Sequence, residues 1–321
     1  MPKGFFTQGL CLLTNGQTTM SDVKGSLVGG GFQIAKEVSE STNDWFSGPA
    51  VIVPYLPEIN GLVSVDVVNQ PWPDAMGSPK DDPITFAAWG MGHFGPFTFP
   101  GGLTRARQQS WAWQEGALIS QSHLGFIRVR SSYVFGCPKD ALCLPVNYDP
   151  TREILFLTRL TKALFEIKTV IGYFNPNGEV LECHSGFTDL WKQCIEQNLV
   201  PLPLWSNIRL YNLNSEFGFM DTVGNSQLDI RDVEAIFPRA KYSQRDVGRY
   251  LRNVSLYLLQ VGRDLCSGES IDGPVEDNLS WVIESLEEGL VQPPRRVFRL
   301  IPRSNSDRIH EAIGTYKASK T

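Results

Sequence analysis

The chain carries one glycine pattern of the kind that binds dinucleotides, Gly90-Met91-Gly92-His93-Phe94-Gly95. In such a site the residues after the third glycine continue as a helix, and the N-terminus of that helix faces the pyrophosphate. Pro96 follows the third glycine directly, and proline pushes the preceding residue toward extended geometry. The acidic residue expected about 20 positions further on would be Glu115, which lies within a predicted helix and not at a strand end. We therefore expect no nucleotide and no cofactor at this segment.

A second candidate, an anion site, lies just after this segment. Gly101 and Gly102 open a predicted helix over residues 103–121, whose first turns carry Arg105 and Arg107. Free backbone amides, the helix dipole and two guanidinium groups could converge there on a phosphate or a carboxylate. Cations at a helix N-terminus are unfavourable unless a negative group is near. Two interpretations stay open: an anionic ligand, or a structural acid from the preceding loop, which offers Asp74, Asp81 and Asp82.

Residues 69–102 form the most unusual segment of the sequence. It is rich in proline, glycine and aromatic residues and lacks periodicity, which predicts a long ordered loop. Tryptophan and arginine are the residue types that anchor interfaces. We therefore expect a non-catalytic module that binds a protein partner or a small anionic ligand through this loop. The predicted ligand-binding residues are Trp72, Trp89, His93, Arg105 and Arg107. If the loop only supports the rest of the fold, its aromatic side chains will instead be buried.

Nucleophilic catalysis has little support in the sequence. The four histidines, His93, His123, His184 and His310, lie outside any Gly-x-Ser-x-Gly turn or matching cysteine context, so we assign no catalytic residue. His123 ends a predicted helix, where the dipole would favour its cationic form in a structural role. The alternative function is a hydrolase or transferase acting on an anionic small substrate, with His93 as base and Arg105 or Arg107 as electrostatic clamp.

Several arginines alternate along predicted strands. In Phe126–Arg130, Ile127 and Val129 face one side while Arg128 and Arg130 face the other, together with Phe126. Arg209 and Arg299 lie on further predicted strands. A sheet face of this kind is solvated, is paired with acids such as Asp66 and Asp229, or forms a ligand surface.

Composition excludes several classes of function. The net charge of −5 gives no field that would attract nucleic acid or an anionic membrane, so we expect neither as a partner. The apolar start of the chain is too weak for a signal peptide, and no apolar run approaches the roughly 20 residues of a membrane span. The six cysteines form no Cys-x-x-Cys pair, and Cys183 with His184 could supply at most two metal ligands. We expect a cytoplasmic protein without a metal site.

The order of elements predicts an α+β fold with helices packed on mostly antiparallel sheets, organised as two ferredoxin-like halves. Asn60-Gly61 predicts a hairpin within residues 50–68, and Asp149-Pro150 predicts the start of a buried helix. We expect an N-terminal half over residues 1–102, a C-terminal half over 103–303 and a polar tail over 304–321.

The second half resembles a known family. The segments that carry the likeness are YFNPNGEVL, LWSNIRLYNL, MDTVG, QLDIRDVEAIF, LRNVSLYLLQVG and PPRRVFRLIP. Together they are similar to a bacterial family described as domain of unknown function 4261, over roughly residues 105–302 and most closely in the last third. The resemblance implies a bacterial cytoplasmic protein. It implies no activity, cofactor or site residue, because the likeness lies in overall patterning and not in a catalytic signature.

Overall fold

The structure is a computed structural model that describes residues 3–39, 45, 48–111, 113–138, 140–262, 264–274 and 279–319. The chain divides into two compact units, Met1–Trp205 and Ser206–Thr321. Each unit contains one sheet whose strand pairings are mostly antiparallel, with helices packed against it. The predicted α+β class is confirmed.

Unit 1 is built on a seven-stranded sheet of order β2-β3-β4-β5-β1-β6-β7, in which the described pairings are antiparallel. Its strands are β1 Gln8–Thr14, β2 Lys36–Val38, β3 Ala50–Leu56, β4 Gly61–Val68, β5 Gly125–Ser132, β6 Val170–Asn175 and β7 Val180–Glu182. Its helices are α1 Met20–Gly29, α2 Pro83–Gly90, α3 Gly102–Gln108, α4 Gly116–Ile119, α5 Pro150–Leu164, α6 His184–Glu196 and α7 Leu202–Trp205.

Local signals in the sequence explain several of these boundaries. Asn60 adopts a left-handed conformation with φ of 57° between β3 and β4, which pair as the predicted hairpin. Asp149 caps α5 by accepting the amide of Arg152, and Pro150 takes the first helical position, where no N–H is needed. The hairpin and the helix start are confirmed, but α5 is buried on one side only, because Arg159 and Lys162 are exposed.

The predicted loop 69–102 contains a helix. Asp82 accepts the amide of Thr85 and Pro83 occupies the first turn, so α2 begins inside the segment. α2, α3 and α4 contribute side chains to one apolar cluster with residues of the sheet such as Phe126 and Phe174. α1 and α5 also contact strands of this sheet.

Unit 2 is built on a six-stranded sheet of order β11-β12-β13-β10-β9-β8, in which β10 and β13 run parallel and the other described neighbours antiparallel. Its strands are β8 Asn207–Asn212, β9 Phe217–Val223, β10 Asp232–Pro238, β11 Ser270–Asp272, β12 Ser280–Leu286 and β13 Val297–Pro302. Its helices are α8 Gln244–Val261 and α9 Ser306–Ala318. Along β10, Val233, Ala235 and Phe237 face the cluster formed by α8, whereas Ile236 faces the cluster formed by α9.

The observed units differ from the expected domains. The expected division between residues 102 and 103 falls inside unit 1, because β1 lies between β5 and β6 in one sheet. The expected tail 304–321 contains α9, whose Ile309, Ala312 and Ile313 are buried. A ferredoxin-like βαββαβ unit has a four-stranded sheet, whereas the two sheets observed have seven and six strands. The ferredoxin-like description therefore stays a prediction. Within the described residues, no helix has the length and apolar character needed to cross a membrane.

Candidate functional site

The glycine pattern at residues 90–95 lies at the end of a helix and not before one. Gly90 is the last residue of α2, and Gly92 and Gly95 have positive φ values of 71° and 124°. The next described helix, α3, begins only at Gly102. Because no helix N-terminus follows the third glycine, its backbone amides are not arranged as a pyrophosphate cradle.

The two predicted tryptophan anchors lie in the core of unit 1. Trp72 and Trp89 are only 5% and 7% exposed, and their ring centroids are 6.1 Å apart in an edge-to-face arrangement. Phe94 packs against both rings. The segment therefore offers neither indole ring to a partner at the surface, and these three rings pack in the core.

The predicted anion site at the start of α3 is occupied by an acid from the protein itself. Asp74 accepts the backbone amides of Leu103 and Thr104 at 2.8 and 2.9 Å. Arg105 forms an ion pair with Glu179, with Nη2 and Oε1 2.6 Å apart, and Arg107 donates from Nε to the carbonyl of Ala117. The helix N-terminus thus has a structural acid, one of the three proposed, and both arginines have partners.

His93 contacts a buried ion-pair network through its backbone. Its carbonyl accepts hydrogen bonds from Arg128 and Arg130 at 3.3 and 2.8 Å. Both guanidinium groups also pair with Asp66, at 2.6 and 2.9 Å. Burial alone would raise the pKa of Asp66, but the two arginines outweigh it and lower the pKa. Of the three interpretations of this sheet face, pairing with an acid such as Asp66 is the one that the structure shows.

The arginines of unit 2 are paired in the same way. Arg209 pairs with Asp221 at 2.6 Å, and Arg299 pairs with Glu234 at 2.5 Å. Asp229, the acid named from the sequence, lies at a left-handed turn position with φ of 59°. These buried pairs are structural, because each charge is neutralised within the sheet.

His123 is structural, but its charge state differs from the expectation. Its Nε2 accepts the backbone N–H of Trp72 at 2.7 Å, and its Nδ1 contacts the carbonyl of Ser120. Burial lowers the pKa of His123, which favours the neutral ring. The prediction of a cationic ring is therefore wrong. Nε2 accepts the hydrogen bond from Trp72, and it can do so only when it carries no proton.

A groove in unit 2 has the character of a ligand site. It has a volume of about 580 Å³ and lies beside α8, the chain that follows it, and strands β11 and β12. Its apolar lining consists of Tyr250, Val254, Leu265, Ile271 and Ile283. Its lining also includes polar groups, those of Asn253, Tyr257, Glu269 and Ser270. Pockets of roughly 300–1,000 Å³ with an apolar lining and a few polar groups are typical of small-molecule sites.

Tyr250 supplies this groove with an unsatisfied hydrogen-bonding group. The side chain is 8% exposed, its ring packs edge-on against Trp281 with centroids 5.5 Å apart, and burial raises its pKa well above the usual value. Its hydroxyl is buried and has no hydrogen-bond partner among the described residues. Leaving a buried hydroxyl unpaired costs roughly 1–3 kcal/mol, so a ligand group that pairs with it would recover that cost.

This groove was not predicted from the sequence. The stripe of α8 that includes Val247, Leu251, Val254 and Leu258 is typical of a helix packed on a core, and these residues do pack there. The signal that could have pointed to the site is Tyr250 and Tyr257, seven residues apart on that helix with Asn253 between them.

Comparison with known proteins relates this region to a described family. Residues 221–301 match the domain of unknown function DUF4261. The resemblance inferred from the sequence is confirmed over that segment, which belongs to the last third of the chain, where the likeness was expected to be closest. The groove residues between Tyr250 and Ile283 fall entirely within the match. No curated protein and no solved structure matches the chain.

Proposed function

We propose that this protein is a non-catalytic ligand-binding module whose ligand occupies the groove of unit 2. The observation that carries the proposal is the Tyr250 hydroxyl, buried beside an open apolar groove without a partner in the described part of the chain. Native proteins pair nearly all such groups, so an unpaired one needs an explanation. A bound molecule that hydrogen-bonds to this hydroxyl provides it.

The lining of the groove defines the class of ligand. Val254, Leu265 and Ile283 are buried apolar side chains, and burial of ligand surface against them supplies the main part of the affinity. Burial also keeps the phenol of Tyr250 neutral, so it offers one hydrogen bond and no charge. The ligand is therefore a small, mainly apolar molecule with one uncharged polar group.

The other functions considered from the sequence gain less support. Binding of a protein partner through the loop 69–102 depended on exposed tryptophans, and Trp72 and Trp89 are buried. The hydrolase or transferase alternative depended on Arg105 and Arg107 as free clamps, and both have protein partners. A cytoplasmic location remains part of the proposal, and it rests on the composition and on the family resemblance.

Replacing Tyr250 with phenylalanine tests the proposal, because the change removes only the hydroxyl. The probes are benzamide, which has a polar group, and toluene, which has none, each titrated by NMR while the methyl signals of the groove are followed. We expect Tyr250→Phe to weaken benzamide binding roughly two- to tenfold, the worth of one hydrogen bond, and to leave toluene binding unchanged.

The matched control is Tyr211→Phe, which removes a hydroxyl on the opposite face of the same sheet, where Tyr211 packs with the α9 cluster. It should bind both probes like the parent protein. The proposal is wrong if neither probe shifts the groove signals, or if Tyr250→Phe binds benzamide as tightly as the parent.

A further inference from the structure

A second groove, in unit 1, has a different chemistry. It has a volume of about 550 Å³ and lies beside α1, α5 and α6. Two aromatic rings, those of Phe32 and Trp191, line it and are half-buried. Two cationic side chains, Arg159 and Lys162, line it from α5. The loop 69–102 and the groove of unit 2 contribute no residue to this lining.

The cations of this groove are not neutralised by the protein. Arg159 and Lys162 are three residues apart on α5, so they lie on the same side of the helix. Neither side chain forms a hydrogen bond or an ion pair with a described residue. Glu166 also lines the groove and is four residues from Lys162, but it lies beyond salt-bridge distance of that ammonium group. One carboxylate against two cations leaves the groove with a positive charge.

Two glycines of α1 keep the groove open. A Cβ atom added at Gly25 or Gly29 would have no atom within 4 Å, whereas one at Gly30 would lie 2.6 Å from the Cβ of Ala163. Close packing of α1 on α5 therefore requires glycine at residue 30 but not at residues 25 and 29. Glycine costs a helix roughly 1 kcal/mol relative to alanine, so at Gly25 it opposes stability without improving the packing.

We infer that this groove binds a small aromatic anion, with its ring against Trp191 and its negative group between Arg159 and Lys162. A guanidinium and an ammonium group recognise phosphate or carboxylate oxygens, and an indole ring stacks on flat aromatic ligands. The chain as a whole is acidic, with a net charge of −5, so it does not attract anions in general. The attraction must come from this local pair of cations.

The inference is tested by measuring the binding of adenosine 5′-monophosphate and of benzoate by titration calorimetry. The first probe is a nucleoside phosphate and the second is an aryl carboxylate. The probe that binds more tightly identifies which class of aromatic anion the groove prefers. Adenosine and inorganic phosphate, which carry only the ring or only the charge, should each bind at least tenfold more weakly than the tighter aromatic anion. Equal binding of that anion and inorganic phosphate would contradict a role for Trp191. Failure of both aromatic anions to bind would overturn the inference.

The double variant Arg159→Gln, Lys162→Gln should lose at least tenfold in affinity for the aromatic anion that binds. The control Lys168→Gln, Arg245→Gln removes the same charge from exposed residues that do not line the groove, and it should change the affinity less than twofold. Equal losses in the two variants would mean that only the overall charge of the protein matters, and the inference would fail.

Gly25→Leu separates binding from folding. Leucine is a strong helix former and meets open space at residue 25, so the variant should fold and unfold at the same or a higher temperature than the parent. Its side chain should fill the groove and reduce the affinity for the aromatic anion at least tenfold. Unchanged affinity in this folded variant would place the anion elsewhere.

Discussion

Glu182, the last residue of β7, has a buried side chain whose carboxyl group has no partner among the described residues. The side chain is 8% exposed and makes no hydrogen bond or ion pair with the described residues. A side chain at Gly186, in the first turn of α6, would overlap its Oε2, so glycine at that position leaves room for the carboxyl group. Burial raises the pKa of Glu182 to about 7 from its ordinary 4.5.

This raised pKa should make the stability of unit 1 depend on pH. Between about pH 4.5 and 7 the folded protein keeps the proton on Glu182 while the unfolded chain has released it, so the contribution of Glu182 to the free energy of unfolding falls as pH rises. The loss should reach roughly 3 kcal/mol and then level off above pH 7. Urea unfolding at pH 5, 6, 7 and 8 measures it.

Glu182→Gln should remove the part of the slope that Glu182 contributes and be more stable than the parent at pH 8, because an amide carries no charge at any of these pH values. The exposed Glu166→Gln serves as the control and should keep the slope of the parent. If Glu182→Gln and the parent lose stability in parallel between pH 5 and 7, the carboxyl group is not the cause.

At the scale of the element, α9 is the segment whose role differs most from the sequence-based expectation of a polar tail. Ile309 is fully buried in the cluster that α9 forms with β9, β10 and β13. Ile309→Ala should therefore cost roughly 2–5 kcal/mol of unfolding free energy in unit 2. Thr315→Ala, on the exposed side of the same helix, should cost less than about 0.5 kcal/mol. Denaturant titrations measure both changes. If the two variants lose equally little unfolding free energy, α9 is an unpacked tail and the prediction is wrong.

The elements that sequence analysis predicted correctly are those marked by local chemistry. The hairpin at Asn60-Gly61 and the helix start at Asp149-Pro150 depend on backbone preferences of the residues themselves. The predicted single helix 103–121 is instead divided into α3 and α4, with the buried Trp113 between them and Gly116 packed against its ring. Tertiary packing of that indole ring overrides the helical spacing, and no local signal shows it.

The candidate sites, too, could be predicted only where a local sequence pattern marks them. Alternation along β5 was enough to predict that Arg128 and Arg130 share a face, but it left pairing with Asp66 as one of three interpretations, and the structure shows that pairing. The groove of unit 2 could not be found this way, because it joins Tyr250 of α8 to Ile283 of β12, which are far apart in the sequence. The aromatic residues of the loop 69–102 were assigned to binding because composition alone does not distinguish a buried ring from an exposed one.

At the scale of the whole molecule, the division into two compact units makes a prediction about fragments. Residues 206–321 contain a complete sheet with an apolar cluster on each face. This fragment should fold alone, with a cooperative thermal transition and dispersed NMR signals. A fragment of residues 103–321 contains β5 and β6 without β1, the strand between them, so its extra residues should stay unfolded. A fragment 206–321 that unfolds without a transition would contradict the division.

The parallel pairing of β10 with β13 determines how the groove of unit 2, the proposed ligand site, is built. Two neighbouring parallel strands need a connection that returns to the starting end of the sheet, and here residues 239–296 form that crossover. α8, β11 and β12 all belong to it, and they line the groove. The site is thus made from the crossover alone, while β9, β10 and β13 form the frame that it joins. Substitutions in the crossover should therefore change the lining of the groove without altering how these three strands pair.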